Sequence, residues 1–240
     1  MKRFFVFISI SIIVALGIGQ VGKKSFQNKG IVSINSIEDI RYLDCNVNQI
    51  FTSEDVDYFI EDYSNGYLSE AANGLNVMIV KPTNVIHQYN FLMTQEVEII
   101  EVLNGNANKG SIVEIVKSGG VYDQKYKYHT YDNDRPLYYG LTNLMFENNY
   151  YLVLTEPLQI NEYLEEKKYR LAFSVFSVFN LSIDYSKAID KPIEEIAYND
   201  YKDSEFLCDS EETADKLILF KHEVLNEILT EEQRAKYVID

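Results

Sequence analysis

The sequence predicts an α+β fold, a small antiparallel β body closed off by a C-terminal amphipathic helix. Three observations carry this expectation. Gln95 to Leu103 (QEVEIIEVL) and Ser111 to Lys117 (SIVEIVK) mix acidic and aliphatic residues on either side of Asn- and Gly-rich turns, the pattern of a hairpin. Leu217, Phe220, Val224, Leu225 and Ile228 recur at three- and four-residue steps, which makes one apolar face of a helix. The aromatic supply is 19 Tyr and 13 Phe with no Trp, and tyrosine favours strands and interfaces.

The elements follow in order along the chain. Lys2 and Arg3 precede an uncharged, largely apolar run from Phe4 to Gly19, and Lys23 and Lys24 follow it. A basic start, an apolar core and small residues at its end describe a secretory signal. The run falls slightly short of the roughly 17–25 residues that cross a bilayer. Residues 1–22 are therefore expected to be a signal peptide or a signal anchor, with the body working outside the cytoplasm, secreted or held by residues 4–19. Residues 23–50 read as a spacer, and residues 51–240 as one domain.

Ser53-Glu54-Asp55 starts a helix, with Ser53 as its cap and the acids favouring its positive end. Asn76 to Val80 reads as a short strand stopped by Pro82. Within the hairpin, a phase change around Ile100 predicts a bulge. Tyr150 to Thr155 (YYLVLT) reads as a buried strand, and Tyr169 to Phe179 as one long strand. Ser210 caps the final helix ahead of Glu211 and Glu212, and Thr230 with Gln233 forms a second capping box.

The strand series also resembles a group of exported bacterial proteins of unknown role. Their pattern is a strand ending in Val-Leu-Lys-Gly, a second strand ending in Gly-Gly, and a later Tyr-Leu-Leu-Phe-Leu. The matching residues here are Val102-Leu103-Asn104-Gly105, then Ile112 to Val116 with Gly119-Gly120, then Tyr150-Tyr151-Leu152-Val153-Leu154. Asn104 stands where that pattern has Lys, and Glu147-Asn148-Asn149 where it has Gly before the later strand. In layout these proteins are similar to the netrin-module and metalloproteinase-inhibitor folds. The resemblance, over residues 76–180, implies an OB-like antiparallel β-barrel with flanking helices. Inhibitors of that fold chelate zinc through an N-terminal cysteine; Cys45 lies well inside the chain, so that chemistry does not carry over.

Charge narrows the partners. The formal net charge is -15, and residues 1–22 contribute two bases and no acid to it. Such a surface repels nucleic acid and anionic headgroups, so membrane contact is expected only through the N-terminal segment. Cys45 and Cys208 are the two cysteines, and in an exported protein they are candidates for one disulfide. Each sits beside an acid (Asp44, Asp209), which disfavours the reactive thiolate.

No catalytic motif emerges. His87, His129 and His222 lack zinc-ligand spacing, so no metal and no cofactor is expected. Acidic pairs such as Glu61-Asp62 and Glu211-Glu212 read as solvated helix starts, and Asp132-Asn133-Asp134 lacks the glycine and terminal Glu of a calcium loop. The expected working surface is a long loop carrying Tyr122, Tyr126, Tyr128, Tyr131, Arg135, Tyr138 and Tyr139. Tyrosine offers large contact area at low entropy cost, which suits an unknown protein or glycan at the cell surface. The chain is thus expected to be an exported, non-catalytic binding module. The alternatives are an extracellular hydrolase and an inhibitor of an exported protease.

Overall fold

The structure is a computed structural model that describes residues 34–42, 45–62, 74–89, 92–122, 136–157, 168–172, 176–189, 191 and 195–238. Its elements are α1 (Ile37–Tyr42), β1 (Asn46–Val47), α2 (Ser53–Asp62), β2 (Asn76–Tyr89), β3 (Leu92–Asn104), β4 (Ile112–Ser118), β5 (Gly120–Tyr122), β6 (Leu137–Tyr139), β7 (Tyr151–Pro157), β8 (Lys168–Leu171), β9 (Val178–Asn180), a 3-10 turn (Tyr198–Asp200), α3 (Glu211–Ile228) and α4 (Glu231–Tyr237). Among the described residues no helix is long and apolar enough to cross a membrane. The expected signal segment lies outside them.

Five strands close into a barrel in the order β2-β3-β4-β8-β7, and β7 returns to pair with β2. β9 lies outside it on β7, and a separate three-stranded sheet runs β1-β6-β5. The barrel is OB-like, as expected, but mixed rather than purely antiparallel: β4 and β8 run parallel. Parallel neighbours need a crossover, and the chain makes it by way of β5, β6 and β7 before β8 arrives beside β4.

Period-two alternation puts each wall strand between two cores. Met78 and Val80 of β2, Val97 and Ile99 of β3, Val113 and Ile115 of β4, and Tyr151 and Val153 of β7 fill the interior. Their neighbours Val77, Ile79, Leu152 and Leu154 face outward, where Val56 of α2 and Leu217, Phe220 and Val224 of α3 cover them. A third core gathers Ile86 and Met93 from the far end of the β2–β3 ribbon with Ile34, Ile40, Val47, Val121, Tyr138 and Tyr198. Residues 34–50, expected as a spacer, therefore belong in part to the body: Ile34, Ile40, Cys45 and Val47 are buried.

The hairpin forms as expected, with Val97 opposite Val113 and Glu98 opposite Ile112. So does the bulge: Ile79 faces Glu101 and Val80 faces Ile99, leaving Ile100 without a partner across β2. Pro82 does not stop β2. Only Asn76–Val80 lies between β3 and β7, so beyond Val80 the strand pairs on one side, and the missing N–H of Pro82 costs no ladder bond on the β7 side. The long strand expected over 169–179 is instead two short ones on the same edge of β7. Leu171 faces Thr155 and Val178 faces Val153, so the register jumps by several residues between β8 and β9. Thr52, one residue before the expected Ser53, caps α2: the Asp55 N–H reaches its hydroxyl at 3.3 Å, and its own N–H reaches the Asp55 carboxylate at 3.3 Å. Ser210 caps α3 and Thr230 with Gln233 boxes α4, as expected.

The expected disulfide is not present. Cys45 and Cys208 are two buried thiols, one in the third core and the other under α3. Both take part in backbone hydrogen bonds. The Cys45 carbonyl accepts the Tyr198 N–H at 2.8 Å, and the Cys208 carbonyl accepts the Ile189 N–H at 2.8 Å.

Gly105, in the β3–β4 turn, has φ +96°, and a Cβ there would lie 2.2 Å from Asn76 Oδ1. That oxygen is not free to retreat, because it accepts the Asn106 N–H at 2.9 Å. Gly105→Ala is expected to cost about 2–4 kcal/mol, summing backbone strain and steric overlap. A lowered urea midpoint at unchanged slope is the expected readout, and an unchanged midpoint would contradict the geometry.

Candidate functional site

Helix α3 carries its apolar stripe at Leu217, Phe220, Val224 and Leu225, and Lys221 falls inside that stripe. The lysine is 2% exposed. A buried ammonium requires acceptors, and three meet it: Glu205 Oε2 at 2.6 Å, the Ile183 carbonyl at 2.7 Å and Asp184 Oδ1 at 3.1 Å.

Each carboxylate is engaged twice. The second Glu205 oxygen accepts the Asn180 N–H at 2.7 Å. The second Asp184 oxygen is bonded to Nε2 of His222, one residue beyond Lys221 and 46% exposed. Asn180 links this group to the barrel, since its Nδ2 donates to the Tyr151 hydroxyl at 3.2 Å. The same hydroxyl accepts the Phe146 N–H at 2.7 Å. A continuous polar chain thus runs from the barrel interior to the surface of α3. Burial pushes the Glu205 carboxyl up to about 7, against the opposing pull of the Lys221 ammonium and the Asn180 N–H.

The surface end of this chain forms one wall of a cleft of 610 Å³. The opposite wall is α4, and the floor is Leu181 and Leu225. Its size lies within the range of small-molecule sites. Helix α4 is fixed in place by Glu101 of β3, which accepts from Gln233 Nε2 at 2.6 Å and from the Tyr237 hydroxyl at 2.8 Å.

The tyrosine surface fares differently. Tyr138 is fully buried and tilts against Tyr198 with ring centroids 4.8 Å apart. Its hydroxyl donates to the Thr142 carbonyl at 3.0 Å, and burial raises its pKa. It is a core residue, not a contact residue, because β6 is paired on both sides and packs into the third core. Tyr122 and Tyr139 belong to the paired strands β5 and β6. Tyr126, Tyr128, Tyr131 and Arg135 lie outside the described residues, as do His129 and Asp132-Asn133-Asp134.

Among the described residues, no group of three His, Cys, Asp or Glu side chains is placed to hold a metal ion. Burial, with the Asp209 carboxylate beside it, pushes the Cys208 thiol up to about 12, far from a reactive thiolate. The Lys221–Glu205–Asp184–His222 group was not anticipated from sequence. The one local signal was a lysine four residues from both Leu217 and Leu225, in the middle of an apolar stripe. In comparisons with known proteins, no protein-family model matches the chain, and neither does any curated protein.

Removing one partner of a buried pair leaves the other charge uncompensated. Lys221→Met is expected to lower stability by about 3–5 kcal/mol, and adding Glu205→Gln should recover part of the loss. The pH dependence has a definite sign. Glu205 is raised from its ordinary 4.5, so its contribution to stability is full below that value and is lost as pH rises through about 7. Urea midpoints of the native chain should therefore fall relative to Glu205→Gln between about pH 4.5 and 7, and level off above it. Parallel profiles would contradict the assignment.

Proposed function

We propose that the chain is an exported, non-catalytic binding module that meets an unknown protein or glycan at the cell surface through the tyrosine-rich segment between β5 and β6. The observation that carries this reading is the anchorage of that segment's two ends. On one side, Gln88 of β2 clamps Val121, accepting its N–H at 2.9 Å and donating to its carbonyl at 2.8 Å. On the other, the chain re-enters at β6, where Asn46 donates to the Pro136 carbonyl at 2.9 Å and Tyr138 is sealed in the core. Residues 123–135, with Tyr126, Tyr128, Tyr131 and Arg135, are thereby tied at both ends to an ordered stem. Tyrosines on a fixed stem are a recurring way to gain contact area at low entropic cost.

The N-terminal pattern of Lys2, Arg3 and Phe4–Gly19 supports the extracytoplasmic setting. The internal pairing of Lys221, Glu205 and Asp184 supports the non-catalytic part, since groups that saturate one another serve a scaffold better than a proton-transfer centre.

The test is capture of surface material by the full chain and by a variant with residues 123–135 replaced by a short Gly-Ser linker. The full chain should retain a defined protein or glycan, and the variant should lose it while keeping the urea midpoint of the native chain. Equal capture by both would sink this reading.

A further inference from the structure

We propose that the cleft between α3 and α4 binds a small monocarboxylate with an apolar body. This site is separate from the surface proposed above and does not rest on it. In a chain with 37 acids and 22 bases, the cleft is a local exception, lined by Lys221, His222 and Arg234 against Asp184 and Glu231. Lys221 is paired with Glu205 and Asp184, and His222 is bonded to the other Asp184 oxygen. The basic side chain of the lining without an ion-pair partner among the described residues is Arg234.

Arg234 Nη1 donates to Oδ1 of Asn226, which bridges α4 to α3. Among the described residues no carboxylate reaches the guanidinium. Both residues line the cleft, and the Asn226 amide Nδ2 and the other Arg234 N–H groups have no protein acceptor among the described residues. A planar fork of donors beside a second amide donor matches the two oxygens of a carboxylate. Below them, Leu181, Ile183, Leu225 and Val238 offer an aliphatic lining, and the volume of 610 Å³ suits an acid of modest length. An amine would meet the guanidinium as a like charge, and an alcohol would use only part of the fork.

The experiment is an NMR titration of the full chain with octanoate, octanol and octylamine, following the Arg234 and Ala235 amides. Octanoate should bind saturably and at least roughly tenfold more tightly than the other two, as expected of charge-assisted hydrogen bonds. Arg234→Gln should erase that preference, and Ala235→Trp, which fills the cleft from α4, should abolish octanoate binding. The proposal is overturned if octanol binds as well as octanoate, if the preference survives Arg234→Gln, if Ala235→Trp binds normally, or if no probe saturates. None of these results depends on residues 123–135, so loss of the surface partner would leave this test unaffected.

Discussion

The β2–β3 ribbon is the constraint on which the other parts of the molecule depend. Its strands have 14 and 13 residues, whereas β4 and β7 have seven each and β8 four, so the ribbon is twice as long as the barrel it helps to close. Its first half is barrel wall, with β2 held between β3 and β7. Beyond Val80, β2 loses its β7 neighbour while β3 goes on pairing with β4, and this half of the ribbon carries Ile86 and Met93 into the third core. Between the two halves the β2–β3 ladder is interrupted by a register shift between Pro82 and Ile86. From the extended half, two glutamines reach across to neighbouring backbone. Gln88 clamps Val121, and Gln95 clamps Met145, donating to its carbonyl at 2.9 Å and accepting its N–H at 3.0 Å. Each glutamine turns one amide N–H and its carbonyl oxygen to a single residue's backbone, as a neighbouring strand residue would, and so extends the pairing without a further strand.

The polar chain from Tyr151 to His222 is the second organising feature, and it is energetically double-edged. Desolvating Lys221 and Glu205 costs several kcal/mol per ion, and their attraction is supported by a partner on each of the four oxygens of Glu205 and Asp184. What the arrangement secures is geometry. Lys221 binds residue 205 together with residues 183 and 184, so it pins the segment after β9 and the segment before α3 onto one helix face. The cleft wall is consequently set from the inside of the barrel outward. Its other wall is set independently by Glu101, which ties α4 back to the ribbon.

How much of this is legible in sequence follows from the range of each interaction. The hairpin, the Ile100 bulge, the Ser210 cap and the Thr230–Gln233 box are all local, and residue type at fixed spacing determines them. Pro82 misleads because a proline stops a strand only where its N–H is needed, and whether a second neighbour lies on that edge is a tertiary fact. The β4–β8 pair joins strands some fifty residues apart and leaves no periodic trace. Tyr138 sits among surface-type neighbours, yet strand pairing on both sides draws it into the core. Lys221 and Glu205 are 16 residues apart, beyond any helical spacing, so their pairing is invisible until the chain folds around them. The two cysteines invited a bond on compartment grounds, but they belong to different cores.

If the ribbon makes the barrel and the third core one cooperative unit, they cannot open separately. Native-state hydrogen exchange tests this directly, comparing barrel amides with those of Val47 and Asn48, which donate to the Ile196 and Tyr138 carbonyls at 2.8 and 2.9 Å. The account predicts that Val80 and Ile99 in the barrel and Val47 and Asn48 in the third core exchange with the same free energy and the same denaturant dependence. Exchange of Val47 and Asn48 through a lower-energy opening, with Val80 and Ile99 still protected, would contradict it.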